Sequence, residues 1–220
     1  DGLLREWSPG RADEIPSEFR TSTFSGTRVL NMVIVASSAL DSPPQDWGDL
    51  LTIDGGVAIP DPGFAGSAFA AFGFFALNPD YGIDYYSQLK DNGGTQVQTP
   101  GEVVNGVAEG VYAAGMTLDR SARTAVEEGS PVTLVWPASG SIALYSPIAV
   151  VDKSPSRFAE TFVEYVLSPE AQTAIAGTGW EPALPGVDWP DYGGRQTIDW
   201  TEAFNHQEEL LADYQAIFGG

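Results

Sequence analysis

Apolar residues along the chain fall into short blocks separated by turn residues, and strand-like and helix-like blocks alternate. Residues 1–28 are polar, with little periodicity. Val29–Ala36 (VLNMVIVA) is a nearly continuous β-branched run, which predicts a buried strand. Ser42-Pro43-Pro44 marks a turn, and Asp46–Leu51 (DWGDLL) predicts a short helix. Val57–Ile59 is a brief strand stopped by Pro60-Asp61-Pro62-Gly63, where two prolines fix φ around one Asp. Ser67–Leu77 (SAFAAFGFFAL) is apolar on every side, so it predicts a buried helix rather than an amphipathic one.

Asp80–Lys90 predicts a second helix. Thr99-Pro100-Gly101-Glu102 has the Thr-x-x-Glu spacing of a capping box, with Pro at the first helical position, and Val103, Val104 and Val107 give that helix an apolar face. Val111–Thr117 reads as a strand, and Asp119–Glu128 as a helix closed by Gly129. Pro131–Trp136 and Ile142–Val151 read as strands. Ser154-Pro155 opens a helix whose stripe is Phe158, Phe162 and Val166, flanked by Ala159, Val163 and Leu167. Ser168-Pro169-Glu170 starts another, ended at Gly177, and Thr201 caps a last one carrying Phe204, Leu211, Tyr214 and Phe218. Strands alternating with helices indicate an α/β protein with much parallel sheet.

Composition narrows the function. A chain of 220 residues, 43% of them hydrophobic, hides roughly 70% of its unfolded surface in a core. Thirty acidic residues face ten basic ones, a net charge of −20, and only Lys90 and Lys153 are lysines. The acids are scattered, so they form a surface and not a tail. Such a field repels nucleic acid and anionic membrane. It suits a medium of about 1 M salt, where the Debye length falls to roughly 3 Å. There is no cysteine, hence no disulfide or thiolate site. No apolar run approaches the roughly 20 residues of a membrane helix. The longest, Ala65–Leu77, is broken by Gly66, Ser67 and Gly73.

Catalytic chemistry is sparse. His206 is the only histidine and sits inside the predicted last helix, with no Gly-x-Ser-x-Gly elbow and no phosphate loop elsewhere. We therefore expect no enzyme, metal or cofactor. Three segments have the character of a binding cleft. Asp61–Ser67 places a glycine-bearing loop before a buried helix, where free N–H groups of Ala65 and Gly66 and the Ser67 hydroxyl favour an anion, unless Ser67 only caps its helix. Gly115–Asp119 ends a strand and opens a helix, bringing in Thr117 and Asp119, the latter alternatively an N-cap. Pro137–Ser141, with Ser139, is either a plain loop or a hinge.

These pieces occur in an order that resembles the solute-binding proteins of ferric-iron, thiamine and phosphonate importers. The resemblance runs from Pro44 to about Pro185. It is carried by Pro44–Leu51, Ile59–Pro62 with Gly66-Ser67, Gly106–Thr117, Glu128–Val132 with Trp136-Pro137, Ser139–Ser141, Ile148–Val150, and Phe162–Gln172 before Gly177–Gly179. It implies a two-lobed, periplasmic-binding-protein-like (class II) α/β fold with an incomplete first lobe. Residues 1–56 and 138–220 would form lobe one and residues 57–137 lobe two, with the closing helices on lobe one. Asp1 matches no family N-terminus, so the resemblance implies that the first lobe's opening segment is missing. The implied function is an extracytoplasmic receptor, a monomer with a lipid anchor in the full-length protein, that hands a small anionic or zwitterionic ligand to ABC permease subunits. Phosphonate- and thiamine-like ligands fit: an anionic end on Gly66-Ser67, a cationic end on Asp119. Where iron-binding members carry adjacent tyrosines, this chain has Asp119-Arg120, which speaks against a ferric-iron receptor, the first alternative. An enzyme or sensor on the same scaffold is the second.

Overall fold

The computed structural model describes residues 2–219; Asp1, on which the expected N-terminal departure rests, lies outside them. The chain divides into two compact units, and each is described by itself. Unit one comprises the described residues up to Leu30 together with Leu144–Asp191; unit two comprises Asn31–Ala143 and the residues from Tyr192 onward. These divisions differ from the boundaries at 57 and 138 that the resemblance implies. The reason is that two long strands, β1 (Phe24–Ser37) and β6 (Ser141–Ala149), run from one unit into the other.

Unit two follows the chain as β2 (Val57–Pro60), α1 (Gly66–Leu77), α2 (Asp84–Asp91), β3 (Thr95–Val97), α3 (Pro100–Ala108), β4 (Ala114–Leu118), α4 (Asp119–Glu127) and β5 (Val132–Val135). Unit one holds α5 (Ala159–Val166), α6 (Pro169–Gly177) and β7 (Glu181–Pro182). The chain ends in unit two with β8 (Arg195–Thr197), α7 (Trp200–Asn205) and α8 (Gln207–Phe218). In unit two β2 pairs in parallel with both β3 and β4, whereas β1 lies antiparallel to β4 and β5. The start of β6 pairs in parallel with β8. The mixed sheet with helices confirms the α/β class. Gly115 in β4 is required by this packing: a Cβ there would stand 2.6 Å from the Ala58 carbonyl and collide with Val103 of α3.

Helix α1 is buried as its all-round apolarity predicts. Phe72 and Phe75 are fully enclosed, with Phe75 stacked on Tyr85 at 4.2 Å and Phe72 edge-on to Tyr214 at 5.2 Å. Burying each ring contributes about 2–3 kcal/mol. The Tyr214 contacts with Phe72 and Tyr86 place α8 on α1 and α2 within unit two. Trp47, in the 3-10 turn Trp47–Leu51, donates from Nε1 to the Gly140 carbonyl at 3.0 Å and accepts the Tyr85 hydroxyl at 2.8 Å.

Unit one departs from the sequence expectation in two places. The first crossing strand starts at Phe24, five residues before the apolar run, because its early part alternates half-buried and buried positions. Helix α5 starts at Ala159, four residues late, after Ser154 and Ser156 accept from the Ser156 and Phe158 amides in successive turns. The expected stripe is also turned. Val163 and Leu167 are buried, but Phe158 and Phe162 are 63% and 61% exposed. The predicted last helix is two helices, capped by Asp199 instead of Thr201, with His206 at the break between them.

Candidate ligand-binding site

The most distinctive polar arrangement lies in unit one around Arg28, a residue that the sequence reading passed over. Its Nε donates to the Ser146 hydroxyl at 3.1 Å, and its guanidinium lies over the Trp180 ring, 4.4 Å from the centroid. Among the described residues no carboxylate pairs with it, and Nη1 and Nη2 make no hydrogen bond. Thirty carboxylates in the chain make that isolation informative. A guanidinium held at one edge and one face keeps a planar fork of donors, the geometry that suits bidentate recognition of carboxylate or phosphate. Trp180 adds cation–π attraction of about 0.5–2 kcal/mol.

The strand around Arg28 is locked from both sides. Thr27 donates from Oγ1 to the Ser146 carbonyl at 3.0 Å, and Val29 and Arg28 register against Glu181 and Pro182 of β7. Gln172, fully buried in α6, donates to the Thr27 and Val166 carbonyls, both at 2.9 Å, and accepts the Leu184 amide at 3.1 Å. One side chain thereby ties β1 to α5 and to the segment after β7. The sequence did hold a signal: Phe24-Ser25-Gly26-Thr27-Arg28 leads directly into the apolar run and carries one of ten scarce cations.

The residues singled out from sequence all fall in unit two, and the structure gives them different duties. Ala65 is the N-cap of α1, without a side-chain cap, and its amide is not the free donor expected, because it donates to the Asp61 carbonyl at 2.9 Å; Gly66 is exposed and Ser67 half-buried. Ser67 therefore does not cap its helix. Among the described residues its hydroxyl and the Gly66 and Ser67 amides meet no acceptor. Asp61 organises the same loop, accepting the Gly63 amide at 2.7 Å and the Gln96 side chain at 2.8 Å.

Thr117 and Asp119 are committed internally. Thr117 is buried and donates to the Pro100 carbonyl at 2.7 Å, fastening β4 to the start of α3. Asp119, 1% exposed, is the first residue of α4 and not its N-cap. One oxygen accepts the Asn31 amide at 3.3 Å; the other accepts Nη2 of Arg123 at 2.8 Å. Asp119 thus has an internal partner on each oxygen, which gives it a structural duty beside the ligand role expected of it. Ser139 is exposed and tied down: its hydroxyl donates to Asp46 at 2.6 Å and its carbonyl accepts Gln196 at 2.8 Å. Ala138 donates to the Gln45 carbonyl at 2.9 Å, so segment 137–140 is a pinned loop.

Tyr85 and Tyr86 are core residues. Burial, then the neighbouring Tyr86, Tyr81 and Asp46, raises the Tyr85 pKa well above 10.0. Burial, then Tyr214, raises that of Tyr86. A tyrosinate ligand to iron needs the opposite shift. Among the described residues no cluster of three or more His, Asp or Glu could hold a metal ion. His206 is half-exposed and meets Glu209 at 3.1 Å.

Solved structures share this architecture. An ABC transporter protein from Clostridium perfringens ATCC 13124 matches with a TM-score of 0.84, at 18% identity, over 99% of this chain and 78% of that one. A Bordetella ferric binding protein matches at 0.80 and 17% identity, over 98% and 77%. The periplasmic binding protein AfuA from Actinobacillus pleuropneumoniae, solved with fructose-6-phosphate bound, matches at 0.77 and 19% identity, over 99% and 77%. At these identities the likeness concerns the fold, which is periplasmic-binding-protein-like. The chain belongs to the bacterial extracellular solute-binding protein family, whose model matches residues 22–181. No curated protein matches the chain. Members of the family deliver small ligands to ABC permeases. Among the described residues no helix is long and apolar enough to cross a membrane.

Proposed function

We propose that this chain is the extracytoplasmic receptor for a small anionic solute, of the phosphonate, phosphate or carboxylate type, which it passes to an ABC permease. The observation that carries this reading is Arg28: a half-buried guanidinium oriented by Ser146 and Trp180 and, among the described residues, paired with no carboxylate. Gly66 and Ser67, with free amides and a free hydroxyl, are a second candidate set of donors. The engagement of Asp119 with Asn31 and Arg123 weakens the support for a cationic ligand end. It therefore weighs toward plain anions over thiamine-like ligands. That AfuA was solved with a sugar phosphate agrees with an anion on this fold. The reading includes a receptor that acts as a monomer and is kept beside its permease by a lipid anchor.

The test is isothermal titration in molar NaCl with aminoethylphosphonate, fructose-6-phosphate and thiamine. Heat with either anion that falls at least about tenfold in affinity in Arg28→Ala supports the reading; a charge-assisted hydrogen bond contributes about 1.5–3 kcal/mol. Binding of thiamine alone, or anion binding indifferent to Arg28, overturns it.

A further inference from the structure

A second surface, in unit one, has a chemistry that the ligand site does not use. Helix α5 presents Phe158, Phe162 and Tyr165 to solvent, 63%, 61% and 53% exposed. Their spacing of four and three residues puts the rings on one side of the helix. The acids of α5 are turned elsewhere: Glu160 pairs with Arg5 at 2.6 Å, and Glu164 accepts the Gly10 amide at 2.8 Å. Arg5 also donates to the Asp152 carbonyl at 3.1 Å, which holds the 151–153 segment beside the first turn of α5. That segment adds Lys153, and the following turn adds Arg157, whose guanidinium lies 4.9 Å from the Phe158 ring. Both cations are exposed, and among the described residues neither meets a carboxylate. In a chain with three acids for each base, residues 153–159 carry two bases and no acid, between the exposed Asp152 and Glu160, whose charge is met by Arg5.

We propose that this face, Lys153 and Arg157 with the rings of Phe158, Phe162 and Tyr165, docks on an anionic lipid surface. Aromatic rings seat at the headgroup level, and each basic residue near an anionic leaflet adds favourable attraction. A membrane carries that negative charge by composition, so the complementarity needs no particular protein partner. The net charge of −20 opposes approach at long range. At 0.15 M salt, however, the Debye length is about 8 Å, so a patch in contact responds to its local charge. Docking here would hold a receptor of this family flat on the membrane that contains its permease.

The experiment is co-sedimentation of the full chain with phosphatidylglycerol vesicles and, separately, phosphatidylcholine vesicles at 0.15 M NaCl. We expect binding to phosphatidylglycerol and at least about tenfold less to phosphatidylcholine. Lys153→Glu with Arg157→Glu should remove that preference. Phe158→Ser with Phe162→Ser should weaken binding to both lipids. All four positions are exposed, and unchanged circular dichroism checks folding. Arg28→Ala should sediment as the parent does, which separates this face from the ligand site. No binding to phosphatidylglycerol, or equal binding by the charge-reversed variant, overturns the proposal. So does retention only by vesicles that carry the permease, which would make the face a protein-docking surface.

Discussion

Asp119, at the start of α4 in unit two, and Arg28, on the unit-one part of β1, are both charged, and they do opposite work. Asp119 has 1% of its surface exposed and both oxygens engaged, by Asn31 and Arg123. Arg28 is half-buried, steadied by Ser146 and Trp180, and keeps two donor groups unspent. A charge whose partners are all internal holds the fold together. A charge oriented by neutral neighbours is poised for something outside it.

The largest effect that would break this contrast is on stability at Asp119. Asp119→Ala removes a buried carboxylate bonded to both Asn31 and Arg123 and should cost about 3–5 kcal/mol in denaturant unfolding. A loss below about 1 kcal/mol would return Asp119 to the list of candidate ligand residues. Gln172→Ala comes next. It abandons two buried carbonyls and one amide around the Arg28 strand, and should cost about 2–3 kcal/mol by the same measurement. Because Gln172 positions that strand, the variant should also lose ligand affinity, whereas Asp119→Ala, while folded, should not.

Alkaline titration sharpens the description of unit two. Burial raises the pKa of Tyr85, Tyr86 and Tyr214 above 10.0 in the folded chain, so folding favours their neutral form. The stability this supplies is complete below pH 10 and drains away as the pH climbs from the unfolded value toward the folded ones. Phenolate absorbance should therefore lag behind free tyrosine and appear together with loss of structure. Early ionisation of these three in an intact fold would contradict their burial. The smallest effect belongs to Ser67→Ala, whose hydroxyl meets no partner among the described residues: stability should hold within about 0.5 kcal/mol. Any change should appear in anion affinity alone.

Much of the fold was readable in advance, and the misses share a cause. The Val29–Ala36 run, the apolar helix α1 and the Thr99 and Ser168 caps correspond to what periodicity and capping chemistry specify. Short strands such as β3 and β8 were missed because three residues carry no period to detect. On α5 the stripe was visible, but its partner was not, and two of its rings face solvent. The site was harder. Thr117, Asp119 and Ser139 sit where strands end, and such positions serve equally for ligands and for internal ties. Only the location of Pro100, Asn31 and Asp46 decides between them, and each comes from elsewhere along the chain. Arg28 escaped because the reading began its strand at the first continuous apolar residue.

The central claim is that Arg28 is the anchor for an anionic solute. Its most direct test compares wild type, Arg28→Lys and Arg28→Ala by isothermal titration with aminoethylphosphonate or fructose-6-phosphate in molar salt. The account predicts that binding is strongest with Arg28, weakened by Lys because the planar fork is lost, and down at least about tenfold with Ala. Equal affinity in all three proteins would contradict it.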